Sequence, residues 1–163
     1  MAITGVIQPE ILQVDEKVRL RKYDGVYDFA FAWYQDEETV YLVDGVRKPY
    51  SAETLQCMYE YLNKQGELYF IEVLEGDTYK PIGDVCFWKD DMPIVLGEKA
   101  YRGKGIAKKV IGALIERGRL LEYDSLHVQE IYEFNTASRK CFEKMGFEAY
   151  EKTEKGNRFV VYL

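Results

Sequence analysis

The sequence of 163 residues is poor in the side chains that bind metal ions or form disulfide bonds. It has three cysteines, Cys57, Cys86 and Cys141, and a single histidine, His127. The cysteines form neither a CxxC pair nor a metal-binding pattern, so we expect no metal site and free thiols in a reducing compartment. This scarcity excludes a disulfide-stabilised secreted domain and a zinc-finger module.

Long apolar runs are also missing, so no segment of the sequence predicts a membrane span. The first ten residues lack a basic stretch followed by an apolar one, and we therefore expect no signal peptide and a cytoplasmic location. Repeats and low-complexity segments are absent. The length, with 47% hydrophobic and 31% charged residues, is typical of one globular domain, which we expect to span residues 1–163.

The net charge of −6 is distributed unevenly along the chain. Residues 24–91 contain 15 acidic and 5 basic side chains, whereas residues 97–119 contain 7 basic and 2 acidic ones. A basic segment within an acidic chain indicates an anionic ligand there, while the acidic part disfavours nucleic acid and favours a cationic partner. Solvated helix faces are the alternative explanation of the same asymmetry.

Hydrophobic periodicity predicts about seven strands and about four helices. The strands are expected at residues 18–21, 68–74, 82–88, 92–96, 127–133, 147–153 and 158–163. The helices are expected at residues 24–35, 51–66, 103–121 and 135–145, the second with Ser51 as its N-cap and Gly66 at its end. Because this order combines an antiparallel meander with strand–helix–strand crossovers, it predicts an α/β or α+β fold.

The segment of residues 101–108, Tyr-Arg-Gly-Lys-Gly-Ile-Ala-Lys, lies between a predicted strand and a predicted helix. Amides at a helix N-terminus are unpaired and lie at the positive end of the helix dipole. Gly103 and Gly105 would let a phosphate approach that backbone closely, so the segment predicts a pyrophosphate-binding loop. Positive charge is added nearby by Arg102, Lys104 and Lys108.

Other phosphate-binding loops fit this segment less well. A P-loop lysine is followed by Ser or Thr, but Lys104 is followed by Gly105. A dinucleotide fingerprint needs a third glycine at the position of Lys108. A glycine-rich helix start without any ligand is the remaining alternative.

The loop resembles the acetyl-CoA loop of the GNAT superfamily of N-acetyltransferases, Gln/Arg-x-x-Gly-x-Gly/Ala, at Arg102, Gly105 and Ala107. Residues 135–147, Asn-Thr-Ala-Ser-Arg-Lys-Cys-Phe-Glu-Lys-Met-Gly-Phe, resemble a later helix of that family. The two segments follow in the family's order, and the resemblance is strongest from about residue 68 onward. It implies a GNAT-like twisted mixed β-sheet flanked by helices, and acetyl-CoA as cosubstrate with no metal.

The resemblance also implies roles for individual residues. The residues implied in binding acetyl-CoA are Val95, Leu96 and Gly97 on a strand, Arg102, Gly103, Lys104, Gly105, Ile106, Ala107 and Lys108 in the loop, and Asn135 and Ser138 on the later helix. Gly97 suits a bulge that separates its strand from the next, and an amide there would polarise the thioester carbonyl. For Asn135, a plain helix N-cap is the alternative, and one residue can do both.

One position departs from the family pattern. Many members carry a tyrosine seven residues after the helix-opening Asn, as the acid that protonates the leaving thiolate, but this sequence has Phe142. The segment instead resembles the branch of ribosomal-protein N-terminal and some aminoglycoside 6'-N-acetyltransferases. Proton donation must then come from elsewhere or from water. A base is still required, and the candidates are Asp91, Asp84 and Glu72, each of which also has a structural interpretation.

The resemblance implies transfer of an acetyl group to a primary amine by direct attack. The acidic first half favours a small cationic acceptor, such as a polyamine or an aminoglycoside, and a protein N-terminus is the other candidate. Aromatic residues expected near the acceptor are Phe29, Phe31, Trp33, Tyr34, Tyr59 and Tyr61, for which core packing is the alternative. An acetyl-CoA-binding module without activity remains open, as does a homodimer, since family members often dimerise.

Overall fold

The computed structural model describes residues 2–163 and contains, within them, eight β-strands, four α-helices and two 3-10 helices. The strands are β1 Ile11–Gln13, β2 Val18–Lys22, β3 Glu67–Glu75, β4 Thr78–Phe87, β5 Ile94–Leu96, β6 Ser125–Tyr132, β7 Glu148–Lys152 and β8 Gly156–Tyr162. The α-helices are α1 Glu37–Asp44, α2 Ala52–Gln65, α3 Ile106–Leu120 and α4 Thr136–Lys144, and the 3-10 helices are Asp28–Gln35 and Lys99–Tyr101. No helix in this part of the chain is long and apolar enough to span a bilayer.

The strands form two antiparallel sheets. The first has the order β1-β2-β3-β4-β5 and the second the order β6-β8-β7, with α3 as the connection between them. Strand β5 pairs with β4 over only three residues, with Asp84 opposite Val95. The sheets approach each other just before β5, where the His127 amide donates to the Lys89 carbonyl at 2.9 Å. Beyond that point, β5 and β6 form no backbone hydrogen-bond ladder in the described residues, and a cleft lies between these two strands.

Strand β3 lies at the centre of the first sheet and is buried on both faces. Its side chains alternate, so that Tyr69 and Ile71 join a core with α3 and α4, whereas Leu68 and Phe70 join a second core with α2 and the first 3-10 helix. This near-continuous burial agrees with the unbroken apolar run from Leu68 to Ile71, although the strand also contains three glutamates. The two cores hold the helices on opposite faces of the sheet.

Fold class and element order are confirmed, with three differences in detail. Strand β1 adds an eighth strand. The helix expected at residues 24–35 is a shorter 3-10 helix, and α1 follows it, beginning after the N-cap Asp36, whose side chain accepts from the Thr39 amide at 2.9 Å. The expected N-cap Ser51 is present and accepts from the Thr54 amide at 3.1 Å. Finally, the sheet is divided into two, and every pairing in it is antiparallel.

Candidate functional site

The loop before α3 presents its backbone to open space. Gly103 and Gly105 have φ angles of 74° and 82°, in the left-handed region that favours glycine, and a Cβ at either position would meet nothing within 4 Å. No side chain caps α3. Its first hydrogen bond joins the Lys109 amide to the Gly105 carbonyl at 3.2 Å, so the amides before Lys109 have no acceptor in the helix. They are available to an anion at the positive end of the helix dipole.

Arg102 connects this loop to β5 and α1. Its Nε donates to the Leu96 carbonyl at 2.8 Å, and its Nη2 donates to Thr39 Oγ1 at 3.0 Å. Thr39 Oγ1 in turn donates to Asp36 Oδ2 at 2.8 Å. The guanidinium group therefore holds the end of β5 against α1, besides adding positive charge to the loop.

A cleft of about 600 Å³ lies between β5 and β6, with the loop at one end. The expected cofactor-binding residues that line it are Val95, Leu96, Arg102, Gly103, Gly105, Ile106, Ala107, Lys108, Asn135 and Ser138. Strand β5 is the edge of its sheet, so one side of its backbone has no strand partner. The cleft thus combines a free strand edge with a phosphate-binding helix start.

Two expected cofactor-binding residues, and the candidate bases Asp84 and Glu72, do not line the cleft. A Cβ on Gly97 would lie 2.2 Å from Cγ of Trp33, so a glycine is required there because the indole packs against its Cα. The regular register of β4 with β5 ends at Leu96, and just beyond it the Glu98 amide donates to the Ile82 carbonyl at 3.0 Å. The bulge expected at Gly97 therefore stays a prediction. Lys104 lies outside the cleft, with its Nζ 5.7 Å from the Tyr101 ring centroid, beside a separate shallow groove.

The start of α4 faces the loop across the cleft. Asn135 Oδ1 accepts from the Ser138 amide at 3.3 Å, so Asn135 is the N-cap of the helix. Further along α4, Phe142 lines the cleft while being almost fully buried, with its ring edge-on to Phe147 at 5.1 Å. A phenyl ring packed in this way has no proton to donate.

Helix α1 forms a wall of the cleft that sequence analysis did not identify. Thr39, Leu42 and Val43 line the cavity, and the Tyr41 ring stacks on Phe134, beside α4, with centroids 4.2 Å apart. At the other end of α1, Asp36 accepts hydrogen bonds from the ammonium of Lys99 and from the hydroxyl and the amide of Thr39. These donors lower the pKa of the Asp36 carboxyl to about 2. Helix α1 therefore bridges the two sides of the cleft.

Three acidic residues are buried in the described structure, and two of them have cationic partners. Glu67 is held by Arg117, whose Nε and Nη2 each donate to one carboxylate oxygen at 2.7 Å. Each oxygen of Glu72 accepts from the Nε of one β2 arginine at 2.8 Å. Asp84 forms no ion pair. Both carboxylate oxygens of Glu72 are thus occupied by guanidinium groups, and its side chain does not line the cleft, so Glu72 is not retained as a candidate base.

Asp84, which lies on β4, is surrounded instead by aromatic side chains. The hydroxyls of Tyr34 and Tyr59 both donate to Oδ2, at 2.6 and 2.8 Å. Oδ1 accepts no hydrogen bond. Every fully buried side-chain oxygen in the described residues has a hydrogen-bond partner, so Oδ1 is not fully buried and belongs to the 3% of Asp84 that is exposed. Burial raises the pKa of this carboxyl to about 6, although both hydroxyls lower it. Asp84 is thus a carboxylate that titrates near neutral pH.

Asp91 lies at the closed end of the cleft. Its Oδ1 accepts from the Met92 amide at 2.9 Å and from the Gln129 amide of β6 at 3.1 Å. Burial raises the pKa of this carboxyl, while the two amides lower it. Because the carboxylate joins the two sheets where they converge, its geometry indicates a structural role in setting the cleft.

Other groups that could perform chemistry are few. No three His, Cys, Asp or Glu side chains in residues 2–163 are grouped so that they could hold a metal ion. Cys141 lines the cleft, but burial raises the pKa of its thiol. The convergence of Tyr34 and Tyr59 on Asp84 was missed by sequence analysis, which treated these tyrosines only as aromatic surfaces.

Comparison with known families agrees with this geometry. The model of the acetyltransferase (GNAT) domain family matches residues 17–148. The chain belongs to the GNAT acetyltransferase family. The family expected from the loop and the later helix is therefore confirmed, and with it the assignment as an acyltransferase enzyme. Among proteins with curated functions, none matches this GNAT chain in sequence.

Solved structures with the same fold extend over nearly the whole GNAT chain. A domain from Methanocaldococcus jannaschii has a TM-score of 0.80 at 21% identity, over 91% of this chain and 100% of that one. The aminoglycoside acetyltransferase AAC(6')-Ib, in complex with paromomycin and acetyl-CoA, has a TM-score of 0.74 at 19% identity, over 90% and 94%. The ribosomal L7/L12 alpha-N-protein acetyltransferase with coenzyme A has a TM-score of 0.73 at 14% identity, over 94% and 98%. At these identities the similarity establishes the fold.

Proposed function

We propose that the protein transfers the acetyl group of acetyl-CoA to a primary amine, by direct attack of the neutral amine on the thioester. The observation that carries this proposal is the cleft between β5 and β6, which ends at the uncapped N-terminus of α3. Such a helix start binds the pyrophosphate of a nucleotide, and a free strand edge pairs with an amide-containing arm. The two features together suit coenzyme A.

The residues present fit this cosubstrate without a metal. The amides of residues 103–107 would hold the pyrophosphate, with Lys108 adding charge at the cleft. The backbone of β5 would pair with the pantetheine arm, although the Leu96 carbonyl already accepts from Arg102. The Asn135 and Ser138 side chains lie across the cleft, where they would contact the same arm.

Asp84 is the residue that we propose as the general base. Its β4 position lies opposite Val95 of β5, the strand whose backbone would pair with the pantetheine arm. It is the one buried acid in the described residues without a cationic partner, and its pKa of about 6 suits proton transfer near neutral pH. In this proposal Oδ1, which accepts no hydrogen bond, takes the proton that the amine loses as its nitrogen bonds to the acetyl carbon.

The acceptor that we propose is a small cationic amine. Aromatic rings next to Asp84 continue toward the surface, with Tyr23, Tyr27 and Tyr59 at centroid distances of 5.3 to 6.3 Å from one another. Tyr23 and Tyr27 are half-buried, and the exposed carboxylates of Asp24 and Asp28 lie beside them in sequence. Aromatic faces and carboxylates attract ammonium groups. A protein N-terminus is the alternative acceptor.

We also propose a cytoplasmic location, which the three free cysteines support.

The test is release of coenzyme A thiol from acetyl-CoA in the presence of spermidine, paromomycin or peptides with free N-termini. We expect turnover with the polyamine or the aminoglycoside and a much lower rate with the peptides. Asp84→Asn should lower kcat by about 100-fold or more, whereas the matched change in an exposed neighbouring carboxylate, Asp90→Asn, should have little effect. An unchanged rate in Asp84→Asn would eliminate this residue as the base.

A second candidate is an acetyl-CoA-binding module without transferase activity. It is favoured by Phe142, which leaves the usual proton-donor position without a hydroxyl, and by the near-complete burial of Asp84. Tight binding of acetyl-CoA, measured by calorimetry, with no thiol release from any amine in the panel would support this candidate over the enzyme.

A further inference from the structure

Three lysines line the cleft, one on α3 and two on α4. Lys108 lies in the first turn of α3, whereas Lys140 and Lys144 lie on α4. Because they are four residues apart, Lys140 and Lys144 are neighbours on one side of their helix, where like charges repel each other. Such an unfavourable local choice is typical of a functional position, and an anionic ligand would offset the repulsion.

The helices that carry these lysines pack closely together. A Cβ on Gly112 of α3 would lie 3.2 Å from the methyl carbon of Met145, directly after α4. Lys108 is one turn before Gly112, on the side of α3 that meets α4. Burial raises the pKa of the Cys141 thiol, and the charges of Lys144 and Lys108 lower it, so both ammonium groups approach that one thiol. The lysines of α4 are therefore close to the first turn of α3.

None of the three lysines forms an ion pair in the described part of the chain. The one acidic residue of α4, Glu143, is 3.8 Å from Arg139, which does not line the cleft. The two carboxylates that line the cleft accept hydrogen bonds elsewhere, Asp91 from two amides and Glu130 from the hydroxyl of Thr153. The positive charge of the lysines is thus available to a ligand.

We propose that Lys140 and Lys144, together with Lys108, bind the 3'-phosphate of coenzyme A. This inference rests on the proposed function and extends the same cleft. In coenzyme A the ribose that carries the pyrophosphate on its 5'-oxygen also carries a phosphate monoester on its 3'-oxygen, so one sugar ring separates the two groups. With the pyrophosphate on the amides of residues 103–107, the monoester has to lie close to the first turn of α3. It carries a charge of about −1.5 to −2 near neutral pH, and lysines bind such a group as flexible point charges.

The separate groove on the other side of the loop suits this phosphate less well. Its charged side chains are three basic and three acidic ones, those of Lys17, Lys104, Lys109, Asp15, Glu16 and Glu75. One of these lysines, Lys109, already pairs with Asp15 at 2.8 Å. Equal numbers of positive and negative charges give this groove little attraction for a doubly charged anion, whereas the lysines of the cleft are unpaired.

Binding of acetyl-CoA and of 3'-dephospho-acetyl-CoA, measured by calorimetry, tests the inference because the two ligands differ only in this phosphate. Wild-type protein should bind acetyl-CoA about tenfold more tightly, since several exposed charges act together on one phosphate. The double variant Lys140→Ala/Lys144→Ala should bind acetyl-CoA about fivefold more weakly and the dephospho ligand less than about twofold more weakly. Because the charges are exposed, the wild-type preference should shrink when the salt concentration rises from about 50 to about 500 mM.

Two single variants are matched controls. Arg139→Ala removes one positive charge from the same helix without changing the lining of the cleft, and Lys104→Ala removes one from the separate groove. Both should keep the wild-type preference for acetyl-CoA.

Three results would overturn the inference: equal wild-type affinities for the two ligands, equal affinity losses of the double variant for both, or loss of the preference in Lys104→Ala. A wild-type protein that binds neither ligand would refute the acetyl-CoA site itself, which is a distinct result.

Discussion

Replacing Asp84 by asparagine is expected to remove a specific pH dependence of folding stability. The carboxyl has an ordinary pKa of 3.8 and a pKa of about 6 in the folded protein, so the folded state binds this proton more tightly than the unfolded chain. Below pH 3.8 the group is protonated in both states and has no effect. As the pH rises from 3.8 to 6, the unfolded chain loses its proton first, and stability falls until it levels off above pH 6.

The size of this effect follows from the two pKa values. At about 1.36 kcal/mol per unit of pKa difference, ionised Asp84 costs the folded state about 3 kcal/mol, of which about 2.4 kcal/mol develops between pH 4 and pH 8. Asparagine does not titrate and has nearly the same shape. The free energy of unfolding of the variant minus that of the wild type should therefore increase by this amount over the same pH interval.

Urea unfolding of both proteins at five pH values and constant ionic strength measures that difference. Contributions of other titrating groups, such as Asp36, cancel because both proteins contain them. Any constant effect of burying the amide also cancels when pH values are compared. A difference that stays constant within about 0.5 kcal/mol from pH 4 to pH 8 would refute the raised pKa and, with it, the choice of Asp84 as a base.

Three further substitutions test other parts of the site. Arg102→Ala should raise the KM for acetyl-CoA about tenfold, because the charged hydrogen bond to the Leu96 carbonyl is lost. The control is Arg119→Ala on the exposed side of α3. Equal KM values in the two variants would contradict the role of Arg102. Gly97→Ala should lower the free energy of unfolding by about 1–3 kcal/mol in urea titrations, since its Cβ overlaps the Trp33 ring, and an undiminished stability would contradict this packing. Phe142→Leu should cost less than about 1.5 kcal/mol of stability and leave the pH–rate profile unchanged, whereas a shifted alkaline limb would show that this position takes part in proton transfer.

Much of the fold is predictable from the sequence, because its signals are local. The hairpin of β3 and β4 turns at Gly76, whose φ of 62° is in the left-handed region, and the surrounding Glu-Gly-Asp marks that turn in sequence. Helix α2 is delimited by Ser51 and Gly66, as expected. Helix α1 was missed because the helix predicted at residues 24–35 ends where the 3-10 helix ends, and no element was assigned to the eight residues after Asp36.

The phosphate loop is predictable for a similar reason, because its chemistry is carried by backbone atoms of consecutive residues. To predict this loop, it is sufficient to find glycines at positions 103 and 105 and a helix that starts immediately after them. Side-chain partnerships across the fold are different. Asp84 is 50 residues from Tyr34 and 25 from Tyr59, and only the packing of the first 3-10 helix and α2 in one core with the first sheet decides that their hydroxyls meet one carboxylate oxygen.

The same distinction explains why sequence alone could not choose among the three candidate bases. All three carboxylates were expected on central strands or at the start of one, and the sequence does not show which side chains each would meet. Glu72 differs only because β2 pairs with β3 in a register that brings two arginines to it, and Asp91 differs because β6 supplies an amide. The partners come from distant elements, so the charge balance of each carboxylate becomes visible only in the folded chain.

The contrast between the buried acids favours a functional explanation for Asp84 over a structural one. A buried charge without a partner is costly, and Glu67 avoids that cost by pairing with Arg117. Asp84 receives two neutral hydroxyls instead, which satisfy one oxygen and leave its ionised form disfavoured by about 3 kcal/mol. An asparagine would accept the same two hydrogen bonds without that cost. Because natural sequences depart from locally stable choices mainly at functional sites, an uncompensated carboxylate opposite the strand that would hold the thioester is best explained by a need to accept a proton there.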